Sequence, residues 1–290
     1  MGVLNVTPDS FSDGGRFGAP TRAVAHGLRL AADGADLVDV GGESTRPGAE
    51  RITARVELTR VLPVVEALAA HGILVSVDTM RAEVARAAVA AGAGFVNDVS
   101  GGLADPDMAP CVAELGAPYV AMHWRAHSRH MQEHTVYDDV VRDVVAELGS
   151  RLDALARAGV APEQIIVDPG LGFAKTRDQS WTLLRSLPRL RALGRPVMVG
   201  ASRKSMLGGF EGSATPSPAP QDRDHATAAV SALAAHQGAA IVRVHDVAAT
   251  VAAVRVAAEW AVADRPGRPR RAGLASGADH HQAPVRPHRP

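Results

Sequence analysis

Eight short apolar runs set the terms on which this chain can fold. They are Val3-Leu4-Asn5-Val6, Leu37-Val38-Asp39-Val40, residues 73–78, 95–98, 119–123, 165–168, 197–200 and 241–245. Runs this short, without polar alternation, suit parallel strands buried on both faces. Between them lie Ala-, Leu- and Arg-rich stretches with helical spacing, at 20–33, 53–70, 81–91, 105–115, 136–158, 177–192, 223–236 and 246–258. Gly34, Gly72, Gly92, Gly116, Gly159, Gly194 and Gly238 stand before strands, where helix C-caps belong. Eight strands alternating with eight helices in about 250 residues have the rhythm of a (β/α)₈ barrel. A doubly wound open sheet is the alternative, but no G-x-G-x-x-G follows the first run. The pattern predicts an α/β fold, a single (β/α)₈ TIM barrel over residues 1–260.

Two segments fall outside that rhythm. Residues 212–222 read as a mobile loop within the seventh helical region. Residues 261–290 are rich in Pro, Arg, Gly and His and poor in core-forming side chains, which predicts a disordered tail. Lys+Arg and Asp+Glu both total 31, so no overall charge argues for nucleic acid or a membrane surface. The tail holds six Arg against two Asp, which leaves residues 1–260 with a net charge of −4. An anionic ligand would therefore be held by local charges. Cys111 is the only cysteine, which excludes an intramolecular disulfide and fits the cytoplasm. It is expected to pack as a small apolar residue inside a helix. No apolar run reaches the roughly 20 residues of a membrane helix, and no signal peptide is expected.

Barrel enzymes carry their chemistry at the C-terminal ends of strands. Polar residues gather at those ends here: Asn5, Glu43-Ser44-Thr45-Arg46, Asp78, Asn97, His123, Asp168, Ser202-Arg203-Lys204, Arg243 and His245. Asp78 or Thr79, Asp168 and Ser202 could each simply cap a following helix. A full ring of polar groups around one mouth asks for more than capping. If Ser202 caps a helix, Arg203 and Lys204 fall in its first turn, where the dipole disfavours cations, so something outside the helix should use one of them. Arg243 and His245 lie two apart on a strand and share a face. They read as a cationic pair for a phosphate or diphosphate, with a buried salt bridge to an Asp as the alternative for Arg243. Asp78, Asn97 and Asp168 could accept and donate along the edge of an aminopyrimidinone. His123, His127, His130 and His134 lack the tight Cys/His pairing of a zinc site and read as a flexible loop.

Several longer motifs, in order, carry a resemblance. Residues 1–15 (Met1-Gly2-Val3-Leu4-Asn5-Val6-Thr7-Pro8-Asp9-Ser10-Phe11-Ser12-Asp13-Gly14-Gly15) and Gly41-Gly42-Glu43-Ser44-Thr45-Arg46-Pro47-Gly48 are two of them. Ser76-Val77-Asp78-Thr79, Asn97–Gly102, Asp168–Lys175, Ser202-Arg203-Lys204-Ser205 and Arg243–Val247 follow. Over residues 1–260 the chain resembles the dihydropteroate synthases. That family joins a dihydropterin diphosphate to 4-aminobenzoate and releases pyrophosphate.

The resemblance implies roles for particular residues. Asp78, Asn97, Asp168 and Lys204 would hold the pterin ring, with Met122, Phe173 and Gly200 lining its pocket. Asn5 would coordinate Mg²⁺ on the diphosphate, which Arg46, Arg243 and His245 would also contact. Phe11, Thr45, Arg46, Pro47, Ser202 and Lys204 would frame the 4-aminobenzoate. Lys204, Arg243, His245 and Asp78 would carry catalysis. The diphosphate would leave first, giving a cationic pterin methylene that the aryl amine attacks, and a homodimer would be formed by the late helices. The segment Trp124–Gln132 departs from the family's Gly-x-Pro-x-x-Met-Gln form and is expected to bear little on chemistry. A pterin-binding methyltransferase barrel would share the Asp and Asn contacts without a diphosphate site. A non-catalytic relative would keep the fold and bind pterin or a partner without turnover.

Overall fold

The computed structural model describes residues 1–7, 18–46, 48–210 and 219–263. Eight parallel strands run β1 (Gly2–Asn5), β2 (Val38–Gly41), β3 (Val75–Asp78), β4 (Phe95–Asp98), β5 (Tyr119–Met122), β6 (Ile165–Asp168), β7 (Met198–Val199) and β8 (Ile241–Val242). Strands β1 to β6 pair in sequence order, and β7 pairs with β8. Two seams close the cylinder. The amide of Val167 donates to Pro196 O at 2.9 Å between β6 and β7, and that of Val3 donates to Val244 O at 2.9 Å between β8 and β1. The fold is the (β/α)₈ barrel that the spacing predicts.

Nine α-helices cover the described chain: α1 (Gly18–Ala32), α2 (Ala54–Ala70), α3 (Ala82–Ala90), α4 (Met108–Leu115), α5 (Val140–Arg157), α6 (Arg177–Arg185), α7 (Leu187–Arg191), α8 (Asp224–His236) and α9 (Val247–Ala263). The predicted helix 177–192 is two helices. Pro188, which has no N–H to give and restricts the residue before it, begins the second one. Helix α9 runs past the expected domain boundary at residue 260. The predicted tail beyond Ala263 and most of the predicted loop, residues 212–218, lie outside the described residues; Pro220–Arg223 forms a 3₁₀ turn. Cys111 is buried within α4, whose C-cap Gly116 adopts φ 65°.

Two cores sort the strand residues by face. Outward residues such as Val38, Val40, Val75, Val77 and Val96 pack with the helices. Met1, Leu37, Phe95, Val120, Ile166, Met198 and Ile241 come from seven positions around the cylinder and touch one another, so they plug its interior. That apolar plug closes the lower barrel and leaves the upper ends of the strands to polar groups. Charges buried there must find partners or cost several kcal/mol each.

Candidate active site

Arg243 organises one half of the mouth. Its Nε lies 2.6 Å from Asp39 Oδ2, and its Nη2 lies 2.7 Å from Asp78 Oδ2. Asn97 Nδ2 donates to the same Asp39 oxygen at 2.9 Å. Four strands, β2, β3, β4 and the end of β8, therefore meet in one hydrogen-bonded cluster. Burial pushes the Asp78 carboxyl up to about 7, against the pull of Arg243 and with the repulsion of Asp39. Burial alone would lower Arg243, but Asp39 and Asp78 hold it charged. The buried salt bridge weighed as the alternative for Arg243 is thus present. Two carboxylates share a guanidinium whose side chain keeps 21% of its surface open.

Asp168 and Lys204 form the other half. Asp168 Oδ1 accepts from the Gly170 amide at 2.7 Å, closing a turn rather than capping α6, which Thr176 and Gln179 cap with a capping box. Burial raises the Asp168 carboxyl, opposed first by Lys204. Lys204 Nζ donates to Leu171 O and stands 4.6 Å from the centre of the Phe173 ring. Burial lowers Lys204 to about 8, with Asp168 opposing. Met122 and Phe173 belong to one small apolar cluster with Met80 and Val99. A Cβ on Gly200 would sit 3.8 Å from Asp168 Oδ2 and 3.9 Å from Arg243 Cβ, so the absent side chain leaves the two halves facing one another.

Ser202 caps no helix. Its hydroxyl lies 2.9 Å from His245 Nδ1 and accepts the His245 amide at 3.1 Å. Among the described residues no α-helix begins between Ser202 and Asp224, and Arg203 sits at φ 60° with its guanidinium on Asp224 at 2.6 and 2.8 Å. The external partner expected for the Arg203–Lys204 pair is an internal carboxylate for Arg203. His245 is not half of a cationic pair either. Burial, then Arg203 and Arg243, depress it to about 3, so it is a neutral ring.

The loop after β2 is held from two sides. Glu43 binds Arg51 at 3.0 Å and Arg81 at 2.6 Å, and Arg81 also reaches Glu57 and Ile52 O. Ser128 Oγ donates to Thr45 O at 3.1 Å, and the Gly48 amide donates to Ser128 O at 3.1 Å. The divergent segment after His123 therefore does bear on this loop, because it fastens the residue expected to frame an aryl substrate. Arg46 is exposed on the loop and is close enough to His245 to depress it. Phe11 and Pro47 lie outside the described residues.

Asn5, at the end of β1, is half-buried, with its Oδ1 3.7 Å from where a Cβ on Gly41 would stand. Among the described residues no three His, Cys, Asp or Glu side chains gather to hold a metal. Asp39 and Asp78 are already bound to Arg243. The donors present suit a cation that arrives with its own oxygen ligands, not one caged by protein alone.

Sequence reasoning missed Asp39 and Lys175. Asp39 is a fully buried charge in an otherwise apolar strand, a pattern that demands a buried partner. Lys175 is likewise buried, at the end of the Asp168–Lys175 motif.

Comparison with known proteins shows the family. Residues 1–245 match the family described as pterin binding enzyme. The chain is 56% identical over 265 residues to the dihydropteroate synthase of Mycobacterium leprae (strain TN), covering 90% of this chain and 92% of that protein. It is similar to the structure of Xanthomonas albilineans dihydropteroate synthase with 4-aminobenzoic acid, with a TM-score of 0.83 and 47% identity, covering 92% of this chain and 93% of that one. The same organism's enzyme in complex with 7,8-dihydropteroate gives a TM-score of 0.80 and 44% identity, covering 92% of this chain and 94% of that one.

Proposed function

The chain belongs to the pterin binding enzymes, and from that premise we propose how its mouth performs the family's transfer. It condenses 6-hydroxymethyl-7,8-dihydropterin diphosphate with 4-aminobenzoate, giving 7,8-dihydropteroate and pyrophosphate in folate biosynthesis. The observation that carries the reading is the facing pair of clusters, Arg243–Asp78–Asn97–Asp39 and Asp168–Lys204, across Gly200.

Each cluster suits one edge of a flat, nitrogen-rich ring. Asp168 and Asp78 accept from ring and amino N–H groups, Asn97 donates or accepts, and Lys204 donates to a carbonyl. Met122 and Phe173 supply an apolar face. The part of Arg243 left open, 21% of its side chain, together with Arg46 and the neutral His245, would form a diphosphate subsite. His245 there donates a hydrogen bond instead of a charge. Fixed donors of this kind stabilise charge as it develops on a departing diphosphate. Thr45, Arg46, Ser202 and Lys204 frame the aryl amine, a role that Phe11 and Pro47 would share.

Asn5 would hold Mg²⁺ bound to the diphosphate, and the ion would neutralise charge on the leaving group. A single neutral ligand predicts Mg²⁺ binding with the substrate and hardly at all to the free protein; tight Mg²⁺ binding by the apoprotein in calorimetry contradicts this. The pterin-binding methyltransferase reading needs no diphosphate subsite and is the less economical one. Incubating the purified protein with both substrates and Mg²⁺ tests the proposal. Dihydropteroate and pyrophosphate are expected in equal amounts, and their absence overturns it.

Cytoplasmic placement and a homodimer through α8 and α9 remain part of the proposal. No described helix is long and apolar enough to cross a membrane. Leu233, Val256 and Trp260 stand exposed on the late helices, at 56%, 67% and 67%.

A further inference from the structure

Behind Asp168 lies a string of titratable groups that no step above uses. His123, at the end of β5, is buried, with Nε2 2.9 Å from Glu147 Oε2 and Nδ1 2.9 Å from Lys175 Nζ. Lys175 is itself 3% exposed and donates to Phe173 O at 2.9 Å. An ammonium has only donors, so His123 Nδ1 is the acceptor and Nε2 carries the proton toward Glu147. The hydrogen bonds thus run from Lys175 through a neutral imidazole to a carboxylate on α5. Burial, then Lys175, depress His123 to about 4, in keeping with that neutral form.

The string ends on the turn that shapes the site. Residues 170–174 turn between β6 and α6, and Leu171 O and the Phe173 ring in that turn both meet Lys204. Ala174 adopts φ 49°, a left-handed conformation that costs about 1 kcal/mol for a residue with a Cβ. Lys175 on Phe173 O and Tyr137 Oη on Ala174 O at 3.0 Å hold the turn there. Packing alone would not ask for an ammonium at this point, because burying one costs more than burying a methionine of similar length.

We propose that Lys175, held from behind by His123 and Glu147, is a positioning residue for the pterin subsite. It fixes the 170–174 turn beneath Lys204 and adds a further cation, after Lys204 and Arg243, on the side of Asp168 away from the mouth. This rests on the pterin reading of the site given above. The charged groups facing Lys175 are Asp168 from β6, Lys204 from beyond β7, Arg125 from beyond β5 and Glu147 from α5. Burial lowers Lys175 to about 7, with Asp168 opposing, so its charge is lost as the pH rises through neutrality.

The test uses the full chain and the variants Lys175→Met and Glu147→Ala. Affinity for 6-hydroxymethyl-7,8-dihydropterin is measured from about pH 6 to 9, and the KM for 4-aminobenzoate is measured at saturating pterin diphosphate. In the wild type, loss of the Lys175 charge near neutrality and of the Lys204 charge above it should each lower pterin affinity, set against the rise that ionisation of Asp78 near 7 brings, so the lower step is read as the difference between the wild type and Lys175→Met. Lys175→Met should bind the pterin about tenfold more weakly at low pH and lose the lower step, as removal of one charge-assisted contact implies. Its KM for 4-aminobenzoate should stay within about twofold, the split that separates a positioning role from general unfolding. Glu147→Ala removes a partly exposed anion that supports the ammonium, so it should move the lower step to more acid pH.

Unchanged pterin affinity and an unchanged profile in Lys175→Met overturn the proposal, as does a parallel loss of both substrates with a lower melting temperature. If Lys175→Met does not fold, Glu147→Ala decides, and a wild-type profile there is equally fatal. Should the wild type bind pterin yet form no dihydropteroate, the enzymatic reading fails while these titrations still judge the support of Asp168.

Discussion

Arg243 and Lys204 are both cations at the mouth, and their surroundings give them different work. Arg243 ties together Asp39 and Asp78, so its removal leaves two buried carboxylates facing each other. Breaking such a buried pair from one side costs about 3–5 kcal/mol. Arg243→Ala should therefore lose that order of stability in urea unfolding. It should also bind bare pterin less well, because Asp78 and Asn97 lose their anchor. A leaving-group role alone would have spared the bare pterin; an unaltered melting temperature with diphosphate-only defects would restore that simpler view. Lys204→Ala should keep the stability and lose about 1.5–3 kcal/mol of pterin binding, whether or not the ligand carries its diphosphate. Titration with hydroxymethyl-dihydropterin and with its diphosphate separates the two.

The buried imidazoles make a second prediction at this scale. His123 and His245 are depressed by burial to about 4 and about 3, below the roughly 6.5 of an unfolded histidine. The unfolded chain then binds more protons between those values, so their contribution is complete above about 6.5 and is lost as the pH falls toward the folded values. Asp78, raised by burial, works in the opposite direction between its unfolded value and about 7. The histidine share of the stability should drop between about pH 6.5 and 4, set against Asp78 and the likewise raised Asp168, Asp98 and Glu57. In His245→Asn the drop should be shallower; parallel curves would show that His245 titrates normally.

At the level of elements, the barrel depends on how the strand ends turn. Gly170 has φ 67°, and a Cβ there would stand 2.4 Å from His123 O, which is backbone of the neighbouring strand's exit. Gly48 has φ 79° and nothing within 4 Å of the added atom. Both changes to Ala carry the left-handed penalty of about 1–2 kcal/mol, but only Gly170→Ala must also part β5 from β6. Gly48→Ala should unfold in urea with a modest loss near that penalty. Gly170→Ala should lose severalfold more, together with pterin binding, since the turn carries Leu171 O and Phe173. Equal losses in the two variants would show that the β6 turn yields easily.

For the molecule as a whole, the late helices present an exposed apolar face. Apolar side chains at Leu233, Val256 and Trp260 stand in water on α8 and α9, elements that pack closely on one another. A homodimer would bury them. Light scattering at micromolar concentration should give twice the mass of the 30.1 kDa chain; a monomer mass rejects this interface. Residues 264–290 are Pro- and Arg-rich and offer little to a core, so their deletion should leave melting temperature and turnover nearly unchanged. A loss of more than a few degrees would show that they dock.

What the sequence determined by itself was the architecture and the membership of the ring. Unalternating runs such as Ile165-Ile166-Val167 suit strands buried on both faces, and their regular return between helical stretches leaves a barrel as the economical closure. Strand ends at Asn5, Asp78, Asn97, Asp168 and His245 followed, because polar groups on such strands are tolerated only at the mouth. Partnerships were a different matter. Nothing in the order of residues says that Arg243 reaches back to Asp39, 204 positions away, or that Ser202 takes His245 instead of capping a helix. Nor does it say that Lys175 stands on His123. Those pairings depend on which strands the closed cylinder makes neighbours, and on burial strong enough to change the charge states of groups whose chemical identity was plain from the start.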